Sequence, residues 1–203
     1  MISDVCLFLC KVFKMKKQER IDVLIAVVLV VIAALSRLAL YPHNNFSPMI
    51  AMAIFGGAVI RDKKYAIGLP VFAMFLSDVL FQVFHIATGF WGWGQLIGYG
   101  IMIMITFLGS YIRTITIVKV AAFSILSSLI FYILSNTSFF FIDNSIYHLY
   151  SQDQRGYWNC MVAALPFFRT SLIADLVYSA ILFGGFVLIR RNSYKTQMLD
   201  ARS

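Results

Sequence analysis

The apolar residues of this chain come in blocks of about twenty, and each block is apolar on every side. No other feature limits the fold as strongly. A helix needs about 20 apolar residues to cross the hydrocarbon core of a bilayer. A membrane barrel would show short strands alternating between apolar and polar positions instead. The blocks predict helices at about 21–41, 46–60, 65–84, 95–112, 118–138 and 167–189. The expected fold class is therefore all-α: a polytopic integral membrane protein, a compact bundle of six transmembrane helices. Residues 1–20 read as a basic, interfacial N-terminal segment, 21–190 as the bundle and 191–203 as a cytoplasmic tail. The chain is 61% hydrophobic and 13% charged, whereas soluble domains are near half and a quarter.

One block is too short. In "HNNFSPMIAMAIFGGAVIRDKK" the apolar part, Phe46 to Ile60, has fifteen residues. Charge placement still requires it to cross. Lys11, Lys14, Lys16, Lys17 and Arg20 precede the first block, and Arg61, Lys63 and Lys64 follow the second. Arg113 and Lys119 lie in the fourth connection, and Arg190, Arg191, Lys195 and Arg202 in the C-terminal tail. These fourteen basic residues face three, Arg37, Arg155 and Arg169, on the other side. Cytoplasmic loops are rich in Lys and Arg, so both termini are expected in the cytoplasm. Pro48 falls in the first turn of the short helix, where a missing N–H does no harm. Asn44 or Ser47 is placed to cap it. Its free N–H groups would then suit an anionic group of a ligand.

The formal charge of +8 has the same origin. No basic run interleaved with aromatics marks a nucleic-acid surface. Met15, followed by "KKQER" and a span, has the pattern of a start, so residues 1–14 are either an interfacial helix or an over-long N-terminus. Cys6, Cys10 and Cys160 have no disulfide or zinc spacing. There is no paired-histidine metal motif, no Gly-x-Ser-x-Gly elbow and no phosphate loop. No catalytic residue, metal ligand or cofactor is therefore assigned. Ala53 with Gly57, and Gly94 with Gly98, are four apart, a spacing that lets helix backbones approach in lipid.

Ionisable residues inside spans carry the functional signal, because they are costly there and face cavities or each other. Arg37 lies one turn from the outer end of the first helix, and Asp78 and Asp175 about two turns in from the outside. Arg169 stands at the outer start of the last helix. All four fall in the outer half, with His85, Gln95, Asn136 and Asn159 near the same level. Arg37–Asp78 and Arg169–Asp175 suit structural pairs. Their clustering suits an outward-opening polar pocket, and a catalytic role stays open. Trp91, Trp93 and Trp158 lie in the outer connections, as an interfacial belt or as a lid over a site.

Two stretches, "NFSPMIAMAIFGGAVIRDKKYAIGLPVFAMFLSD" (45–78) and "CMVAALPFFRTSLIADLVYSAILFGG" (160–185), carry a resemblance over roughly 36–188. They resemble an uncharacterised family of bacterial six-helix membrane proteins grouped with the substrate-binding (S) components of energy-coupling-factor vitamin transporters. The resemblance implies a compact six-helix fold whose outer ends enclose a vitamin-like small molecule. It also implies partners, a membrane scaffold subunit driven by two cytoplasmic ATPase subunits. Many such proteins carry alanines four apart on helix 1 where the scaffold docks. Here Ala26 and Ala33 are seven apart, with Val30 between them.

The expected function is binding of a small vitamin-like solute in an outward-facing pocket for uptake. Arg37, Asn45, Asp78, Arg169 and Asp175 would make polar contacts, and Trp91, Trp93 and Trp158 would stack. The alternatives are an intramembrane enzyme acting on a lipid or isoprenoid, with Asp78 or Asp175 as acid, base or metal ligand, and a non-catalytic membrane assembly protein.

Overall fold

The computed structural model describes residues 17–39, 46–90 and 92–200. The expected N-terminal segment up to residue 16, Asn44, Asn45, Trp91 and the last three residues of the tail lie outside the described residues. The described chain is helical, with no strand: α1 (Lys17–Ala39), α2 (Met49–Val59), α3 (Lys63–Val83), α4 (Trp93–Gly109), α5 (Ile117–Ser138), α6 (Gln154–Ala163) and α7 (Leu165–Asp200). A π-helical segment, Phe139–Asp143, and one further turn, Asn144–Tyr147, extend α5. Four segments are long and apolar enough to cross a membrane: Glu19–Leu38, Lys63–Val83, Ile117–Tyr147 and Leu165–Ser193. The six expected helices thus exist, but α2 and α4 have only 11 and 17 residues.

The shortness of α2 has a packing explanation. At 1.5 Å per residue it is about 16 Å long, roughly half the hydrocarbon thickness. Every residue from Ile50 to Gly57 is buried. The helix is apolar all round, the pattern of a helix buried on all sides. It packs against α1, α3, α4, α5 and α7, so it forms the axis of the bundle.

Glycines set how close its neighbours come. A Cβ at Gly57 would collide with the Thr106 carbonyl, and one at Gly109 with the Ile54 backbone, so α2 and α4 cross backbone to backbone. A Cβ at Gly56 would lie 2.9 Å from the Ala66 carbonyl oxygen and from the Pro70 ring of α3. Ala53 and Gly57 therefore act as the small-residue pair they were expected to be. Gly98 does not: a Cβ there would meet nothing within 4 Å.

Side-chain caps fix several helix starts. Asp62 accepts from the Lys64 N–H at 3.1 Å, and Thr116 from the Lys119 N–H at 3.4 Å. One end of the bundle gathers the basic residues. Arg61 donates to Glu19 at 2.8 Å, and Arg190 pairs with Asp22 at 3.0 Å. Exposed pairs like the first add little stability, but together they place the start of α1, the α2–α3 turn and the far part of α7 at a common end.

Two expectations need correction, and one face of α1 is accounted for. The stretch from 139 to 166 is not an open connection, because it contains the end of α5 and all of α6. Asp153 starts α6 by accepting from the Gly156 N–H at 2.6 Å. Helix α7 runs to Asp200, through most of the expected tail. The face of α1 with Ala26, Val30 and Ala33 is turned into the core, where these residues are 0%, 0% and 4% exposed. They fill a helix interface within the chain, so that stripe is not free for a scaffold subunit.

Candidate functional site

At the end of the bundle opposite the basic pairs lies a cavity of about 430 Å³. It is bordered by the last turns of α1, the start of α2, the second half of α3, the first turns of α4, the end of α5 and the start of α7. Asp78 and Asp175 both line it, although they stand on different helices.

Asp78 is nearly buried, at 3% exposed, and its acceptors are filled. Arg37 Nη1 pairs with Asp78 Oδ1 and donates to Ser77 Oγ at 2.7 Å. The guanidinium lies over the Phe81 ring, 4.7 Å from its centroid. Gln95 Nε2 donates to Asp78 Oδ2 at 2.8 Å, and the Tyr99 hydroxyl donates to the same oxygen at 2.5 Å. Gln95 also donates to the Gly89 carbonyl at 2.9 Å. Gly89 in turn rests so closely on the Asp78 carbonyl that a Cβ would not fit. This network ties α1, α3, α4 and the α3–α4 turn together. Buried charges persist when paired and hydrogen-bonded, as this one is.

Asp175 has a different environment. It is 1% exposed. The Ser128 hydroxyl donates to Oδ2 at 2.6 Å, and Ser171, one turn earlier on α7, faces the same carboxylate. Oδ1 has no hydrogen bond of standard geometry. Ser47 Oγ and Ser138 Oγ are also buried without a partner, and both border the same cavity. The three residues that carry these unsatisfied atoms thus all border one space. Each such atom costs about 1–3 kcal/mol if it stays unpaired away from water.

The start of α2 adds free donors. Pro48 is its N-cap, and no side chain caps it. Ser47 does not cap the helix as expected, because its hydroxyl borders the cavity without a bond to the backbone. Met49 and Ile50, in the first turn, line the cavity, and the first N–H groups of a helix have no intrahelical acceptor. The walls are aromatic: Phe46, Phe131, Tyr132, Phe139, Phe167 and Phe168. Tyr132 and Phe168 stack tilted at 4.7 Å, and the Tyr132 hydroxyl donates to the Met161 carbonyl of α6 at 2.6 Å. Helix α6 is thereby fixed to α5 beside the cavity.

Of the residues expected at the site, Arg37, Asp78 and Asp175 are brought together. Asn45 and Trp91 lie outside the described residues. Trp93 and Trp158 are 69% and 58% exposed and do not line the cavity. Arg169 is exposed and borders neither the cavity nor Asp175, so the Arg169–Asp175 pair is not formed. Position 169 is six residues from 175, which puts the two on different faces of a helix. Sequence reasoning did not single out Tyr99, Ser128 and Ser171, and it placed Ser47 only as a helix cap. A signal for three of them was present, since Gln95 and Tyr99, Ser124 and Ser128, and Ser171 and Asp175 are each four apart. Among the described residues no group of three or more His, Cys, Asp or Glu is placed to hold a metal ion.

Residues 16–198 match a family of unknown function, DUF6580, and the chain belongs to that family. No curated protein and no solved structure matches the chain.

Proposed function

We propose that the chain crosses a bacterial cytoplasmic membrane six times, with both termini inside, and captures a small vitamin-like solute from outside for uptake. The observation that carries this reading is one cavity of about 430 Å³ bordered by Asp175, Ser47 and Ser138, each with a buried oxygen that has no hydrogen-bond partner. Binding pockets for small molecules have this size and this mix of apolar wall and few polar groups. The orientation is supported by the grouping of Arg61, Arg190 and their partners at the other end of the bundle. The short α2 crosses in this reading as a buried axis that begins below the outer surface, which leaves room for the cavity above it.

In the proposed cycle the solute enters between the ends of α4, α5 and α7, and α6 covers it. Release follows from rearrangement toward the inside. The likeness to S components of energy-coupling-factor transporters makes a scaffold subunit with ATPases the proposed energy source. It would dock on a face other than the Ala26–Val30–Ala33 stripe, which is buried.

The test is mass spectrometry of small molecules extracted from the purified chain and from a Gly98→Leu variant. Gly98 borders the cavity and has open space beside it. A leucine there occupies part of the cavity and leaves both aspartates unchanged. A compound enriched in the wild type and lost in the variant is expected. Identical extracts from the two proteins would count against solute capture.

A further inference from the structure

The charges lining the cavity do not balance, and this bears on what enters it. Four residues of fixed charge type border it: Arg37, Asp78, Asp143 and Asp175. Arg37 is spent on Asp78. Asp143 is half-buried at the end of the π-helical segment, and no ion pair among the described residues involves it. Asp175 is buried beside hydroxyls, and no ion pair among the described residues involves it. A chain with a formal charge of +8 thus borders its cavity with two carboxyl groups that have no ion-pair partner among the described residues.

Resting on the proposed capture of a solute here, we infer that the solute is a small organic cation that presents N–H donors, with Asp175 Oδ1 as the acceptor of its charged head. The charge balance favours a net positive solute over an anion or a zwitterion. Oδ1 lacks a donor, and an amine or amidine N–H supplies both the hydrogen bond and the counter-charge. Asp78 does not fill this role, because Arg37, Gln95 and Tyr99 already occupy its oxygens. The aromatic wall suits the same ligand. Phe131, Tyr132 and Phe168 line the cavity, and the faces of aromatic rings attract cations. Ser47 and Ser138, with the free N–H groups of α2, remain for a polar group at the other end of the solute.

Three planar probes of nearly equal shape separate the possibilities: benzamidine (cationic), benzamide (neutral) and benzoate (anionic). Each is titrated into the full chain in detergent, and thermal stabilisation is followed. Benzamidine is expected to act at concentrations at least about tenfold lower than benzamide, the worth of one charge-assisted hydrogen bond. Benzoate is expected to have no effect. In Asp175→Asn the preference for benzamidine over benzamide should vanish. Should that variant fail to fold, Asp143→Asn removes the other unmatched carboxyl at a half-buried position and should weaken benzamidine several-fold. Gly98→Leu should abolish every response. Stabilisation by benzamide or benzoate in preference to benzamidine overturns the cation assignment and leaves solute capture standing. So does a benzamidine preference that survives both aspartate variants. No response to any probe in the wild type overturns both.

Discussion

The Arg37–Asp78 pair offers a quantitative test of how the cavity end of the bundle is held. Asp78→Asn removes the charge and turns one acceptor oxygen into a donor, so Arg37 loses its counter-ion, and either Arg37 loses its acceptor at Oδ1 or Gln95 and Tyr99 both lose theirs at Oδ2. Breaking a buried ion pair by removing one partner costs about 3–5 kcal/mol. The Arg37 side chain is 21% exposed and borders the cavity, so water reaches it and the cost falls. A hydrogen bond inside a membrane protein contributes about 0.6 kcal/mol on average. The variant should therefore lose about 3 kcal/mol. Arg37→Met should lose less, about 2 kcal/mol, because Asp78 keeps its two other donors. The double variant should cost less than the two singles together, by about 1–2 kcal/mol. Far-UV circular dichroism of reversible unfolding in mixed micelles of rising dodecyl sulfate content gives all three values. Additivity within about 0.5 kcal/mol would show that the pair is not coupled and that the network does not clamp α1 to α3.

Two further outcomes follow from local geometry. Gly109→Ala drives a Cβ into the Ile54 backbone of α2 and should destabilise the bundle by about 3 kcal/mol, while Gly100→Ala, with no atom within 4 Å of the new carbon, should be neutral in the same unfolding assay. Asp153 is exposed, and the Gly156 N–H it accepts, helped by the Ser151 hydroxyl, holds its carboxyl below the ordinary value of 3.8. Its contribution to α6 is thus fully present above that value and is lost as pH falls through the lowered one. Exchange of the Gly156 amide should accelerate over that acidic window in the wild type, and Asp153→Asn should flatten the dependence.

The helical class was legible in the sequence because lipid leaves few alternatives for runs of this length. Phe46–Ile60 was legible as a special case, being apolar on all sides yet short. Its role as the bundle axis was not, since that depends on Gly57 and Gly109 meeting backbones on other helices. Arg37, Asp78 and Asp175 stood out because charge is rare in a span. Ser128, Ser171 and Tyr99 did not, because a hydroxyl on a membrane helix is common and usually bonds to its own backbone. Arg169 misled for the opposite reason, as a charge near a span end that faces outward. The tryptophans misled similarly: Trp93 and Trp158 are conspicuous in sequence but exposed in the fold. The tight fit of Ala26, Val30 and Ala33 into the core shows that a small-residue stripe does not reveal whether its partner lies in the same chain.

The central claim is that the cavity opens to the outside and holds a solute. Ser135 lines it from α5 and is half-buried, and cysteine is nearly its isostere. Ser135→Cys can be placed in a chain whose own cysteines are replaced, including Cys160, the free buried cysteine of α6. A membrane-impermeant thiol reagent is then added to intact cells, with and without benzamidine. Labelling from outside that benzamidine slows is the expected result. Labelling only after the inner face is exposed, or labelling at a rate benzamidine does not change, would contradict an outward-facing binding cavity.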